Sequence, residues 1–202
     1  AEAEEKHDNY WGEMYEHAID GFRAFPEFFP LVYMSYYYFH KEIVSHMDKG
    51  YTRANYVLDV REKVVFDDCE RCIEAGTTKD SALHTGVHGN YIVDIANAII
   101  NNTRERFIIN TMNRGAIGNF NHDAVVEIPC YVGSAGIEPV SVGYIPQFYK
   151  SLMEAQKGYE KLAVEAALTG SYQKALEAVL LNRTVPSYAV GKAVLDELIE
   201  AN

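Results

Sequence analysis

The chain is organised around one stretch, FPLVYMSYYYFHKEIVSHMDKGYTRAN, which runs from Phe29 to Asn55. Pro30 suits the first turn of a helix, because a proline lacks only the N–H that such a turn leaves unpaired. The residues after it predict one tyrosine-rich helix, on which Tyr33, Tyr37 and His40 recur at helical spacing and share a face.

The predicted tyrosine-rich helix ends near Met47, and a turn at Lys49-Gly50 separates it from a second helix. Thr52 is placed to cap the second helix, which fixes the backbone beside Arg53. A phenol from Tyr33 and a guanidinium from Arg53 then emerge from two successive helices at one corner. The same pattern is also compatible with an amphipathic core helix whose tyrosines only direct polar tips outward.

The remaining pattern predicts an α+β domain, with helices around a small antiparallel sheet. Val126, Ile128, Cys130 and Val132 alternate along one strand, and Pro129 within it favours an edge position or a bulge. One helix is predicted to bury Ile92, Ile95, Ala96, Ile99 and Ile100. Strands are predicted over Arg106–Met112, Ala124–Val132 and Glu138–Gly143, and further helices over 7–24, from Thr52 to near Gly76, Tyr91–Asn102, Pro146–Thr169, Ser171–Leu181 and Ser187–Ala201.

Several segments, in register, resemble the C-terminal domain of the family 4 glycoside hydrolases, which are NAD- and manganese-dependent glycosidases. The form NxGAIxNF followed by VEIPC is similar to the 6-phospho-α-glucosidases rather than the phospho-β enzymes. The resemblance implies a fold like the C-terminal domain of lactate and malate dehydrogenases. It is carried by FPxxYxxYYxF and TRAN in the opening stretch, YIVDIANAI (Tyr91–Ile99), NRGAIGNF (Asn113–Phe120), VEIPCYVGSAGIEPVSVGYIPQF (Val126–Phe148) and RTVPSYAV (Arg183–Val190).

The resemblance implies one C-terminal catalytic or substrate domain over residues 1–202, with the dinucleotide-binding domain and the metal ligands outside this chain. Gly115-x-x-Gly118 and Gly133-x-x-Gly136 lack the strand, turn and helix that a dinucleotide site requires. We therefore expect no cofactor-binding or metal-binding residues in this chain, and no activity from the chain alone. The complete enzyme is expected to need NAD and Mn²⁺ or another divalent metal, and to form a homo-oligomer.

The resemblance also implies a mechanism on a phosphorylated disaccharide. Bound NAD⁺ takes hydride from C3 of the sugar, and the metal polarises the resulting ketone, which acidifies the C2 proton. A tyrosine, which corresponds to Tyr33 here, removes that proton while the glycosidic oxygen leaves C1. Water then adds, and the hydride returns to C3. NAD-dependent glycosidases of this kind do not use the paired carboxylates of ordinary glycosidases.

A tyrosine that acts as a base near neutral pH needs a cation beside it. A free phenol has a pKa near 10, so ionisation at pH 7 requires about 3 units of stabilisation, roughly 4 kcal/mol. Burial alone raises the pKa of a phenol and so works against ionisation. The candidate cations are the metal and Arg53. Arg53 could equally clamp a sugar phosphate, because its planar fork suits phosphate oxygens; the two roles stay open.

His84 and His88 are four residues apart, the spacing of a helical pair of metal ligands. Two glycines around His88 disfavour a helix there, and a zinc site needs more ligands than this segment offers. We predict a solvated polar loop over residues 77–89 rather than a metal site. His88, just before the helix predicted from Tyr91, is a candidate substrate contact in the same cleft as Arg53.

The composition narrows the class of protein further. The net charge of −11 excludes a basic nucleic-acid surface, and no apolar run approaches the length of a membrane span. The chain has three cysteines, an odd number that favours reduced thiols and a cytoplasmic location. Cys69 and Cys72 form a CxxC on the predicted buried face of a helix, so we predict that they belong to the core.

Two other functions fit the same pattern. The substrate domain of a 2-hydroxy-acid dehydrogenase would share the fold, but its site needs a histidine–aspartate pair, and His84, His88 and His122 have no clearly placed partner. The non-enzymatic alternative is a folded oligomerisation module, whose apolar face pairs with another copy or with the absent domain.

Overall fold

The computed structural model describes residues 16–26, 31–81, 83 and 86–201. The chain forms two compact units, Ala1–His84 and Thr85–Asn202. Within the described ranges, the first unit contains only helices and turns, and the second contains a three-stranded sheet and four α-helices. The predicted α+β class is confirmed.

The first unit consists of short helices. Helix α1 is described over residues 16–24, so the prediction over 7–24 is confirmed from residue 16 onward, and its earlier part lies outside the described residues. The other elements are a 3₁₀ turn Val32–Met34, α2 Ser35–Tyr38, α3 His40–His46, α4 Arg53–Tyr56, a π-helical turn Val57–Arg61 and α5 Glu62–Ala75.

The tyrosine-rich segment is divided, so the prediction of one continuous helix is wrong. Tyr33 lies in the 3₁₀ turn, and Phe39 between α2 and α3 has φ −121° and ψ 31°, outside the helical region. Four consecutive aromatic residues, 36–39, lose side-chain freedom in a helix and weaken it. The common helical face predicted for Tyr33, Tyr37 and His40 therefore does not form.

The caps of the next helices are confirmed. Thr52 is the N-cap of α4, with its N–H donating to Oδ1 of Asn55 over 2.9 Å. Gly76 ends α5 with φ 65°, a left-handed conformation that glycine adopts without strain.

The CxxC does not belong to the core, contrary to prediction. Cys69 is exposed and Cys72 is half-buried, whereas Asp68 is the buried residue of α5. Asp68 accepts hydrogen bonds from Arg71 and, over 2.5 Å, from the Ser81 hydroxyl. The π-helical turn before α5 has a wider period than an α-helix, so the apolar stripe read across both does not stay on one face.

The second unit begins with a helix that starts earlier than predicted, at Gly86 instead of Tyr91, and includes His88. The loop predicted over residues 77–89 therefore ends too late, because residues 86–89 belong to the helix. The third strand also lies earlier than the predicted Glu138–Gly143. The elements are α6 Gly86–Asn101, β1 Glu105–Met112, β2 Val125–Gly133, β3 Gly136–Pro139, α7 Gln147–Thr169, α8 Tyr172–Leu181 and α9 Tyr188–Ala201.

The sheet is antiparallel with the order β1-β2-β3, and β2 is its central strand. The predicted alternation is confirmed, because Val126, Ile128, Cys130 and Val132 are all buried. The edge position or bulge predicted for Pro129 is wrong: it lies in the central strand opposite Ile108. The Pro129 carbonyl accepts from the Val140 N–H over 2.9 Å, just past the end of β3. Pro129, which has no N–H to donate, therefore lies where the hydrogen-bond ladder between β2 and β3 ends.

The core of the second unit lies on one face of the sheet. A cluster of seven buried residues combines β2 with the turn that precedes it, and α7 and Ile145 pack against it. A second cluster joins Ala98 of α6 to Phe107 and Val132. The larger cluster contains Ala116, Ile117, Phe120, Ala124, Val126, Ile128 and Cys130.

The face of α6 that is buried differs from the predicted one. Ala98 is fully buried and Ile95 is half-buried, whereas Ile92, Ile99 and Ile100 are exposed. The helix is apolar on more than one side, so periodicity alone did not identify the side that meets the sheet.

The turn between β1 and β2 is built around one buried amide. Asn113 is fully buried, and its Nδ2 donates to the carbonyls of Ile117, Phe120 and Asn121, each over 3.1 Å. Its Oδ1 accepts from the Ile117 N–H over 2.6 Å. The backbone turns with positive φ at Arg114 and at the following glycine.

The last three helices confirm their predicted caps. Gly170 ends α7 with φ 67°, and Ser171 caps α8 by accepting from the Lys174 N–H. Ser187 accepts from the Val190 N–H at the start of α9 over 3.3 Å. In the described part of the chain, no helix is long and apolar enough to cross a membrane.

Candidate active site

Tyr33 and Tyr36 form a parallel pair of rings in the first unit. Their centroids are 6.3 Å apart and their planes differ by 7°. Tyr33 lies in the 3₁₀ turn Val32–Met34, which is closed by the Met34 N–H donating to the Leu31 carbonyl over 2.8 Å, and Tyr36 lies in the α-helix that follows it. Residues three apart along such helical backbone are neighbours on one side, which brings the two rings together.

The two rings differ in exposure. Tyr33 is 49% exposed, so the predicted base has access to solvent or to a ligand. Tyr36 is half-buried. Burial raises the pKa of the Tyr36 phenol, and the positive charge of Arg53 acts in the opposite direction. The positive charge of Arg53 therefore acts on Tyr36, the half-buried ring of the pair.

Arg53 lies at the start of α4, where the Thr52 cap sets the backbone. Its guanidinium carbon is 5.1 Å from the centre of the Tyr56 ring, within the range of a cation–π contact. Tyr56 lies on the same helix as Arg53, and the meeting of Arg53 with Tyr33 at one corner stays a prediction. The charge of Arg53 acts to lower the pKa of Tyr36, a residue that the sequence interpretation did not assign to the site.

The sequence interpretation assigned Tyr33, Tyr37 and His40 to one face and did not assign Tyr36 to the site. Tyr36, three residues after Tyr33, is also a neighbour of Tyr33 on helical backbone. The run of aromatic residues after Ser35, which disfavours a long helix, was the available signal.

The predicted histidines lie apart from this site in the chain. His88 is exposed on α6 in the second unit, and His84 lies outside the described residues. His122 is exposed in the turn between β1 and β2. Among the described residues, no group of three or more His, Cys, Asp or Glu side chains is arranged to hold a metal ion.

The family model of the family 4 glycosyl hydrolase C-terminal domain matches residues 1–185. The 6-phospho-alpha-glucosidase of Leptotrichia buccalis is 50% identical over 192 residues, which are 95% of this chain and 44% of that protein. A crystal structure of a 6-phospho-alpha-glucosidase from gut microorganisms, in complex with NAD and glucose-6-phosphate, has a TM-score of 0.84 and 41% identity. It covers 95% of this chain and 44% of that one.

A second structure of a 6-phospho-alpha-glucosidase from gut microorganisms, in complex with NAD and Mn²⁺, has a TM-score of 0.86 and 39% identity. The match covers 98% of this chain and 45% of that one, so the chain spans less than half the length of the proteins it matches. The chain belongs to the family 4 glycosyl hydrolases and corresponds to their C-terminal domain. The family match leaves the 2-hydroxy-acid dehydrogenase alternative without support.

Proposed function

We propose that this chain is the C-terminal part of a 6-phospho-α-glucosidase that depends on NAD and a divalent metal, with Tyr33 as its catalytic base. The family membership and the names of the most similar proteins support this reaction class. A dinucleotide-binding domain in the complete protein, which would supply the cofactor and metal sites, stays part of the proposal. We expect the chain alone to bind neither NAD nor metal.

One observation carries the proposal: the exposed Tyr33 ring is stacked on a phenol that feels the charge of Arg53. A base in an elimination must reach its proton, and a ring sealed in the core would exclude a sugar. A phenolate also needs a nearby cation. The exposure of Tyr33 meets the first requirement, and Arg53, whose charge acts on the neighbouring Tyr36 phenol, is the cation that we propose for the second.

The chemistry assigned to this chain is one proton transfer. Bound NAD and metal would make the C2 proton of the sugar acidic by oxidising and polarising the neighbouring carbon. The Tyr33 oxygen takes that proton, the C2–H electrons form a double bond to C1, and the bond from C1 to the glycosidic oxygen breaks. Proximity of the phenol to C2, rather than a paired carboxylate, is what the chain must provide.

Arg53 has two possible partners in this scheme. Its contacts with Tyr56 and its effect on Tyr36 favour a role beside the phenols. The guanidinium is also exposed enough to hold a phosphate through two N–H donors. The choice between the two roles does not change the assignment of Tyr33 as the base.

The test is Tyr33→Phe in the complete enzyme. Removing the phenolic oxygen should lower the exchange of the C2 proton with deuterium from D₂O by about 10²- to 10⁴-fold, the contribution expected of a general base. NAD binding should be unchanged, because the ring and the fold are kept. Exchange is followed by NMR, and NAD binding by calorimetry.

Tyr38→Phe is the matched control. Tyr38 lies on α2, and the centroid of its ring is 6.3 Å from that of Phe25. The same loss of a hydroxyl there should leave the exchange rate near that of the wild type. Undiminished deuterium exchange in Tyr33→Phe would eliminate Tyr33 as the base.

A further inference from the structure

The Tyr36 ring lies parallel to that of the proposed base. The two planes agree within 7°, at a centroid separation of 6.3 Å that lies in the range of offset stacking. Tyr33 in the 3₁₀ turn and Tyr36 in α2 are three residues apart on helical backbone, so the backbone places the two rings on the same side.

The two rings have unequal freedom. Tyr36 is half-buried, whereas about half of the Tyr33 surface is exposed, so Tyr36 is the anchored member of the pair. The residue before it, Ser35, is almost completely buried at the start of α2. An exposed phenol that must meet one carbon atom of a sugar gains orientation from an anchored ring beside it.

The positive charge of Arg53 acts on the half-buried ring of Tyr36. Arg53 lies on α4, a helix whose start is set by hydrogen bonds between Thr52 and Asn55. Its positive charge opposes the rise that burial causes in the Tyr36 pKa. Tyr36 is therefore the member of the pair that is held by burial and on which the charge acts.

We propose that Tyr36 is a positioning residue for the reaction: its flat ring holds the Tyr33 phenol in the plane from which it removes the C2 proton. This inference rests on the proposed function of Tyr33. It assigns no proton transfer to Tyr36 itself. What Tyr36 contributes is the ring, so a phenylalanine should replace it and an aliphatic side chain should not.

The experiment compares Tyr36→Leu with Tyr36→Phe in the complete enzyme. Tyr36→Leu should lower C2 deuterium exchange and kcat by about 10- to 100-fold, because a displacement near 1 Å at a reacting group has effects of this size. KM and NAD affinity should change by less than about threefold, since substrate binding is not removed. Tyr36→Phe should stay within about threefold of the wild-type exchange rate.

A double variant separates positioning from general loss of structure. If Tyr36 acts through Tyr33, the variant carrying Tyr33→Phe and Tyr36→Leu should exchange at the same residual rate as Tyr33→Phe alone. Independent structural damage would instead multiply the two losses. Tyr38→Leu, the same substitution on the same short helix, should leave exchange near the wild-type rate.

Three results would overturn the inference: wild-type exchange in Tyr36→Leu, equal losses in Tyr36→Leu and Tyr36→Phe, or multiplied losses in the double variant. Retained exchange in Tyr33→Phe would instead refute the proposed function, so the two failures are distinguishable. If Tyr36→Leu loses NAD binding and is therefore misfolded, Tyr36→Met, which keeps the volume without a ring, is judged by the same criteria.

Discussion

Arg114 occupies a backbone conformation that residues with a side chain rarely adopt. Its φ is 45°, and Gly115 after it has φ 92°. The Ala116 N–H closes the turn by donating to the Asn113 carbonyl over 2.8 Å, which is the geometry of a two-residue turn with both central residues left-handed. Asparagine is common at the first of these positions. Arginine is strained there, because in the left-handed region its Cβ lies too close to the following carbonyl oxygen.

Replacing Arg114 by asparagine should therefore stabilise the second unit. We expect the free energy of unfolding to rise by about 0.5–1 kcal/mol, because asparagine tolerates the left-handed region and the side chain is exposed. Urea unfolding followed by circular dichroism measures the change. Arg183→Asn, at an exposed position whose φ is not positive, is the control and should change stability little. A loss of stability in Arg114→Asn would mean that the arginine side chain makes a stabilising contact.

The packing of α8 between α7 and α9 depends on two glycines in different ways. A methyl group at Gly191 of α9 would lie 3.1 Å from Leu180 Cδ2 and from Val185 Cγ1, and 3.2 Å from Val179 Cγ1. A methyl group at Gly158 of α7 would meet only Leu181 Cδ1, at the ordinary contact distance of 3.4 Å. The close approach of α9 thus requires glycine, whereas that of α7 does not.

Alanine substitutions at the two glycines should have opposite signs. Gly191→Ala should lower the free energy of unfolding by about 1–3 kcal/mol, because three methyl groups, two of them on stiff valines, surround the new atom. Gly158→Ala should raise it by up to about 1 kcal/mol through the better helix propensity of alanine. Parallel urea titrations of the two variants measure both effects. Stabilisation by Gly191→Ala would show that α8 and α9 can separate at no cost.

Across the whole molecule, an acidic surface coexists with an uncovered apolar helix face. The net charge is −11, yet Ile92, Val93, Ile99 and Ile100 of α6 are all exposed. Contiguous apolar patches of this kind are uncommon on isolated soluble domains. The chain spans 44% of the L. buccalis relative, so in a complete enzyme other parts of the protein are available to cover this face.

The isolated chain should therefore self-associate through α6. Introducing Val93→Lys together with Ile100→Lys should shift the molecule toward the monomer in sedimentation velocity, because two charges on the face oppose its burial. Stability should change little, since Ile100 is 78% exposed. Leu168→Lys on α7, where the side chain is 82% exposed, is the control and should leave association unchanged. Equal association of the double variant and the wild type would exclude α6 as the contact.

The features that the sequence predicted well are those formed within a few residues. Thr52, Ser171 and Ser187 begin helices, and Gly76 and Gly170 end them, because each cap satisfies neighbouring backbone groups. The alternation of β2 from Val126 to Val132 predicted the buried face of the sheet for the same local reason.

The features that only the tertiary structure decided depend on residues far apart or on small differences in backbone energy. Periodicity did not show that α6 meets the sheet through Ala98, because several of its sides are apolar and the sheet selects one. Nor did it place the break at Phe39, where helical and non-helical forms of an aromatic run lie close in energy. The sequence by itself therefore determined the family, the caps and the strand alternation. The tertiary structure decided which apolar faces are buried, and it paired Tyr36 with Tyr33, because stacking depends on the exact turn of the backbone.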